Sequence, residues 1–300
     1  MPGSTEPTSS VPSEEAVVFP CAGSRLLGVL HHAPGSPKTG ILIVTGGPQY
    51  RIGSHRQFLL LARSFAAAGV PTFRFDHRGS GDSEGPYLGF EGIEADIGAA
   101  VNAFFARTPG LEQVVLWGIC DAASAILFYA GSDRRVAGLL LVNPWVREAE
   151  GEARTLVKHY YGQRILDPAF WRKLLSGGVA VLPALRGFIA GVAGWLRAAA
   201  PARAGNAAGS DNARDTRPLP ERMAGGLAAF DGPVGLILSG RDITAREFLE
   251  ASKEAQWRRL LADPRVTRHD LPDADHTFSR RTWRDSVAGW TLSWLQSIGR

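Results

Sequence analysis

A repeated alternation constrains this chain more than any other feature. Short continuous apolar runs, "GILIVT" (40–45), "VPTFRF" (70–75), "EQVVLW" (112–117), "VAGLLLV" (136–142) and "PVGLILSG" (233–240), alternate with segments of helical character. Runs this short, apolar on both sides, read as strands buried on both faces of a parallel sheet. The intervening "SHRQFLLLARSFAAAG" (54–69), "GFEGIEADIGAAVNAFFAR" (89–107) and "DAASAILFYA" (121–130) read as crossover helices. In the first of these, Ser54 is the expected N-cap and Gly69 lies past the end. "AVVFP" (16–20) and "RLLGVLHH" (25–32) add two opening strands, and "RVTRHDLP" (265–272) a closing one. A helix near 244–262 and another over 278–298 complete the pattern, which implies right-handed βαβ units and a mostly parallel sheet.

The alternation stops between 146 and 220. There the chain shows helical patches without strands, then "PARAGNAAGSDNARDTRPLP" (201–220), a flexible linker by composition. The expected organisation is a disordered tail over 1–14, a core from 15–145 and 221–300, and a helical cap at 146–220. The cap's apolar stretch over 177–196, with Pro183 and Arg186 inside it, suits contact with a substrate or a membrane surface better than a span. With 33 basic and 29 acidic residues the net charge is only +4, and no basic block with interleaved aromatics suggests nucleic acid. Two cysteines, Cys21 and Cys120, do not make a disulfide framework. Together with a start that lacks the basic and apolar regions of a signal peptide, they point to a reducing cytoplasm.

The chemistry concentrates at "LWGICDAASA" (116–125), where an apolar strand runs straight into a small-residue helix. A nucleophile on such an elbow needs small residues two positions before and after it, as Gly118 and Ala122 are. Cys120 holds the central position. Alone, a free cysteine reads as a small buried hydrophobe; at an elbow it reads as a thiol at a helix N-terminus, where the dipole favours an anion. The backbone N–H of Asp121 would be one oxyanion donor. The other is expected in "VTGGPQYRIGSH" (44–55), and since Pro48 has no N–H, Gly47 is the candidate. A nucleophile, then an acid, then a histidine in chain order gives Cys120, Asp242 in "LILSGRDIT" and His276 in "LPDADHTF". Asp76, Asp273 and Asp275 are the rival acids. The Asp121 side chain is either a helix-start carboxylate or a substrate contact. Arg51, Arg78 and Arg241 fall in active-face loops and are candidates for an acidic substrate group, or simply surface cations. "FDHRGSGDS" (75–83) lacks the ligand spacing of a metal site and does not lead into a phosphate loop's G-K-[ST], so no metal or cofactor is expected.

The elbow, the residue order and "FDHRGSGDS" resemble the α/β-hydrolase superfamily. "GGPQYRIGSHRQF" (46–58), "WGICDAASA" (117–125) and "YYGQRILDPAFWRKLLSG" (160–177) resemble more closely the type-1 hydrolase associated with exosortase A systems, over roughly 15–200 and 230–300. The resemblance implies an α/β-hydrolase fold, with helices on both faces of the sheet and an inserted helical cap. It also implies a cytosolic bacterial protein close to exopolysaccharide metabolism. The expected activity is cleavage of an ester, lactone or thioester of a small acyl substrate through an acyl-cysteine. An acyltransferase with the same triad and a non-catalytic binding protein on the same fold are the alternatives. The oligomeric state is open.

Overall fold

The computed structural model describes residues 13–47, 49–147 and 215–298. Segments 1–146 and 217–300 form one compact unit, and 147–216 separate as a second. The expected cap, with its linker over 201–220, thus lies almost wholly outside the described residues, as does most of the tail.

Eight strands form one sheet: β1 Glu14–Cys21, β2 Ser24–His31, β3 Thr39–Val44, β4 Thr72–Phe75, β5 Gln113–Ile119, β6 Val136–Val142, β7 Val234–Ser239 and β8 Val266–Leu271. Their order is β1-β2-β4-β3-β5-β6-β7-β8, antiparallel between β1, β2 and β4 and parallel from β4 to β8. Among the described residues the helices are α1 Gln57–Ala67, α2 Glu94–Arg107, α3 Asp121–Ala130, α4 Leu219–Ala229, α5 Ile243–Ala251, α6 Ala255–Leu261 and α7 Arg281–Ile298.

The unbroken apolar runs are explained by two cores, one on each face. Successive side chains of a strand point to opposite faces. Leu42 and Val44 of β3, with Val114 and Leu116 of β5, pack under α2, α3 and α4. Their neighbours Ile41, Ile43, Val115, Trp117 and Ile119 pack under α1 and α7, against Phe58, Phe65 and Trp294. The apolar side chains of β8 are less completely buried, and it carries Arg268 and Asp270 at the edge of the sheet, where charge discourages pairing with another chain.

Two local expectations are corrected. Ser54 does not cap α1. It belongs to a short 3-10 turn, Ser54–Arg56, and the chain enters α1 through Arg56 in the left-handed region (φ 60°) with no side-chain cap. The Leu59 N–H finds the Ile52 carbonyl at 3.4 Å instead. The helix expected near 244–262 is two helices, broken at 252–254. In one continuous helix, residues nine apart would face opposite sides. The break lets Phe248 and Trp257 meet edge to face at 5.2 Å and enter the same core.

The loop after β4 is pinned from below by charge. Arg78 donates to both oxygens of Asp96 on α2 at 2.7–3.1 Å, and its backbone N–H adds a bond of 2.8 Å. Asp96 is fully buried and the Arg78 side chain nearly so. Removing one partner of such a pair strands the other charge. Asp96→Ala is therefore expected to cost about 3–5 kcal/mol, read as a drop in urea midpoint at unchanged slope.

Candidate active site

Every residue expected to carry chemistry lies in a loop at the carboxyl ends of the parallel strands, where such sheets place their sites. Gly46 and Gly47 follow β3, Cys120 follows β5, Asp242 follows β7 and His276 follows β8.

Cys120 sits between β5 and α3 with φ 61° and ψ −128°, a conformation that L-residues rarely adopt. Its backbone is held on both sides. The Cys120 N–H donates to Val142 O at 2.9 Å, and its carbonyl accepts from Ala123 and Trp145, each at 3.1 Å. The turn is tight enough that a Cβ on Gly118 would come within 2.8–2.9 Å of the α3 backbone at Ala122 and Ala123. This is the reason for the small residue two positions before the thiol. Both cysteines are free, Cys21 buried and Cys120 partly accessible.

His276 Nδ1 lies 2.8 Å from Asp242 Oδ2. The Cys120 side chain is near enough to the same imidazole to raise it. The structure therefore brings together the three residues read from chain order. Asp242 is also the N-cap of α5, accepting from the Thr244 and Ala245 N–H groups at 3.1 Å each. Its carboxylate is locked in orientation by the helix it starts. Burial works against a charge on His276, but Asp242 and Cys120 outweigh it and push the imidazole up to about 10. A group raised in this way stabilises the fold fully below its ordinary value near 6.5, and that contribution is lost as pH rises through about 10. The rival acids have other partners: Asp76 holds Arg51, Asp273 pairs with Arg241, and Asp275 binds Ser279.

The arginines divide. Arg51 is nearly buried; its side chain is paired with Asp76 and, at 2.8 Å, with Asp82. With Arg78 on Asp96, two of the three candidates for a substrate anion are committed to internal carboxylates and build the loops instead. Arg241, paired with Asp273 at the surface, is 67% exposed along its side chain and keeps access to solvent.

The oxyanion region differs from its simplest expectation. The Asp121 side chain turns back over the loop after β3: its Oδ1 accepts the Ala122 N–H at 3.0 Å, and its Oδ2 lies close to Gly47. Gly47 and Asp121 are the two donors expected to serve a substrate oxygen. Burial is the largest influence on Asp121 and holds its carboxyl above the usual aspartate value, against those N–H groups and nearby His77. A Cβ on Gly46 would lie 1.9 Å from Asp121 Oδ1 and 2.6 Å from Ala122 N, so only glycine admits this approach.

Asn143, just after β6, was not singled out in the sequence. It is fully buried at φ 44°, where asparagine is tolerated better than most residues. Its side-chain N–H2 donates to Ser239 Oγ at 2.9 Å and to the His276 carbonyl at 3.1 Å, while its Oδ1 accepts the Ser239 N–H at 2.8 Å. It ties the ends of β6 and β7 to the histidine loop. An isolated asparagine after a strand carries no motif; only its position beyond β6, between the elbow and the acid, could have drawn attention.

Residues 30–288 match the alpha/beta hydrolase family, and the chain belongs to it. Comparison with curated proteins gives no match. Among solved structures, the chain is similar to an esterase of Pyrococcus furiosus (15% identity, 100% of this chain and 96% of that one, TM-score 0.62). It is also similar to DcsB, solved with a substrate analogue (17%, 95% and 99%, 0.60), and to a dienelactone hydrolase of Anabaena variabilis (15%, 96% and 98%, 0.58).

Asn143→Ala is expected to lose about 2–4 kcal/mol, because it strands the Ser239 N–H and the His276 carbonyl and puts a Cβ-bearing residue less suited to positive φ in its place. Asn143→Gly removes the same bonds without the backbone penalty and should be less damaged. Thermal melts of the two variants side by side separate the contributions.

Proposed function

We propose that this chain is a cysteine-nucleophile hydrolase acting on ester, lactone or thioester bonds. The observation that carries this reading is the Asp242–His276 hydrogen bond of 2.8 Å beside Cys120, which sits at a strained elbow and raises the same imidazole. A non-catalytic binding protein would have no need to hold thiol and imidazole in contact, or to fix the imidazole from behind. Membership of the alpha/beta hydrolase family supports the same reaction class.

With Nδ1 turned to Asp242, the other ring nitrogen, Nε2, faces the thiol. Asp242 and Cys120 both favour the charged imidazole, and the thiolate is the attacking form. The sulfur attacks the substrate carbonyl carbon, and the carbonyl oxygen takes the negative charge beside the Gly47 and Asp121 N–H groups. As the intermediate collapses, the bond to the leaving alkoxide or thiolate breaks and His276 gives that group its proton. The acyl group is left as a thioester on Cys120. Water then attacks while the neutral imidazole accepts its proton; the acid departs and the ion pair is restored. Amides fit poorly, because the tetrahedral intermediate expels the thiolate again more readily than the amine. Among the described residues no helix is long and apolar enough to cross a membrane. The resemblance to exosortase-associated hydrolases supports an acyl substrate tied to exopolysaccharide metabolism in the cytoplasm.

Intact-protein mass spectrometry after brief exposure to activated esters and thioesters should show one acyl group, located on Cys120, and none on Cys120→Ala. Acylation elsewhere or nowhere sinks the proposal. Alkylation by iodoacetamide gives an independent check. Cys120, partly accessible and beside His276, should be labelled much faster than Cys21 at neutral pH. Cys21, whose thiol is pushed up first by burial and then by Asp96, should react slowly and about tenfold faster per pH unit. His276→Ala should slow the labelling of Cys120.

A further inference from the structure

The Asp121 carboxyl group stands where the reaction just described needs a substrate oxygen. Its oxygens lie against both glycines of the loop that should supply an oxyanion donor: a Cβ on Gly46 would be 1.9 Å from Oδ1 and one on Gly47 3.2 Å from Oδ2, while Oδ1 accepts the Ala122 N–H at 3.0 Å. A helix-start aspartate needs only the N–H groups of its own first turn. This one reaches across to a second segment and competes with substrate for the same donors.

On the side toward the loop after β4 stands His77. It is 1% exposed, its Nε2 is buried without a hydrogen-bond partner among the described residues, and it is near enough to feel the Asp121 charge. Tyr87 in the same loop packs on the His77 ring at 5.7 Å and also feels Asp121. Cys120 precedes it on its own turn, and His276 approaches that thiol from beyond β8. A buried histidine nitrogen lacking a partner beside a buried carboxyl marks a polar site whose hydrogen bonding is incomplete until something else enters.

We propose that Asp121 is a further catalytic residue of this site: as the neutral acid it donates its O–H to the substrate's carbonyl oxygen, and as the carboxylate it blocks that oxygen from the Gly47 and Asp121 N–H groups. A carboxylate only accepts hydrogen bonds, so a carbonyl oxygen gaining charge beside it meets repulsion. The acid instead adds a donor to those the backbone provides, and low-polarity surroundings are what keep a carboxyl neutral enough to do so. Burial moves Asp121 in that direction. The O–H remains on Asp121 throughout; it supports the oxyanion without being transferred, and the leaving group still takes its proton from His276.

This rests on Cys120 as the nucleophile, and the experiment keeps the two apart. Stopped-flow acetylation by p-nitrophenyl acetate is followed from about pH 5 to about pH 9 in the full-length wild type, Asp121→Asn and Asp121→Ala, with mass spectrometry locating the acetyl group. The wild-type rate constant should fall as pH rises past the ionisation of Asp121, somewhere above the ordinary aspartate range. Asp121→Asn keeps a donor and cannot ionise, so the falling limb should vanish and its rate at about pH 8 should exceed the wild type by about tenfold. Asp121→Ala should also lose the limb but acylate about 10²-fold more slowly than Asp121→Asn, for want of the donor. A wild type acetylated on Cys120 with no falling limb overturns the Asp121 role alone, whether or not the variants fold. Asp121→Asn with the wild-type profile, or slower at every pH, does the same. No acetyl group on Cys120 in any of the three proteins overturns the nucleophile and the Asp121 role together.

Discussion

Cys120 at positive φ is the constraint on which the rest of the site depends. Holding an L-residue there costs of order 1–3 kcal/mol, and the cost persists only where the surroundings over-determine the turn. Here β6 takes the Cys120 N–H, while the first turn of α3 and the start of the next loop share its carbonyl. Gly118 leaves room for α3 to begin at once. The same geometry puts the thiol at a helix start, partly accessible at the margin of the core under α1 and α7. The sheet is thus the means of holding one dihedral pair, and the loops after β3, β6, β7 and β8 are arranged around the result.

Two aspartates near that thiol are kept distinct by their surroundings. Asp242 is fixed by two N–H groups at the start of α5 and faces a histidine that shares its charge. Asp121 is fixed by N–H groups too, but burial dominates and no cation forms a salt bridge with it among the described residues. One carboxyl is held between a helix start and an imidazole; at the other, burial makes charge costly. Hydrolytic chemistry regularly needs both kinds of carboxyl in one pocket, and side-chain identity alone does not distinguish them.

What could be read from the sequence follows from how local the determining forces are. The strands were legible because burial on both faces leaves no polar alternation to interpret, and α3 was legible to the residue because an elbow demands small neighbours. Cys120, Asp242 and His276 could be placed at one end of the sheet because each follows a strand whose end is visible in the sequence. What escaped depends on partners that no motif names. Ser54 lost its capping role to a carbonyl at Ile52, and the 252–254 break exists so that Phe248 and Trp257 can share a core. Arg51 and Arg78 looked available because Asp76 and Asp96 lie 25 and 18 residues away. Asn143 meets Ser239 across 96 residues, a distance no spacing rule reaches.

The positions of the triad along the chain also bear on the order in which it becomes dangerous. Cys120 belongs to the first stretch to be synthesised, together with β1–β6, while its acid and base arrive only after residues 147–216 have been made. Domains made vectorially begin to assemble from the N-terminal side. On the proposed chemistry, the sulfur gains its acid and base only when the loops after β7 and β8 close onto the sheet, so activation of the thiol is deferred to the final strand.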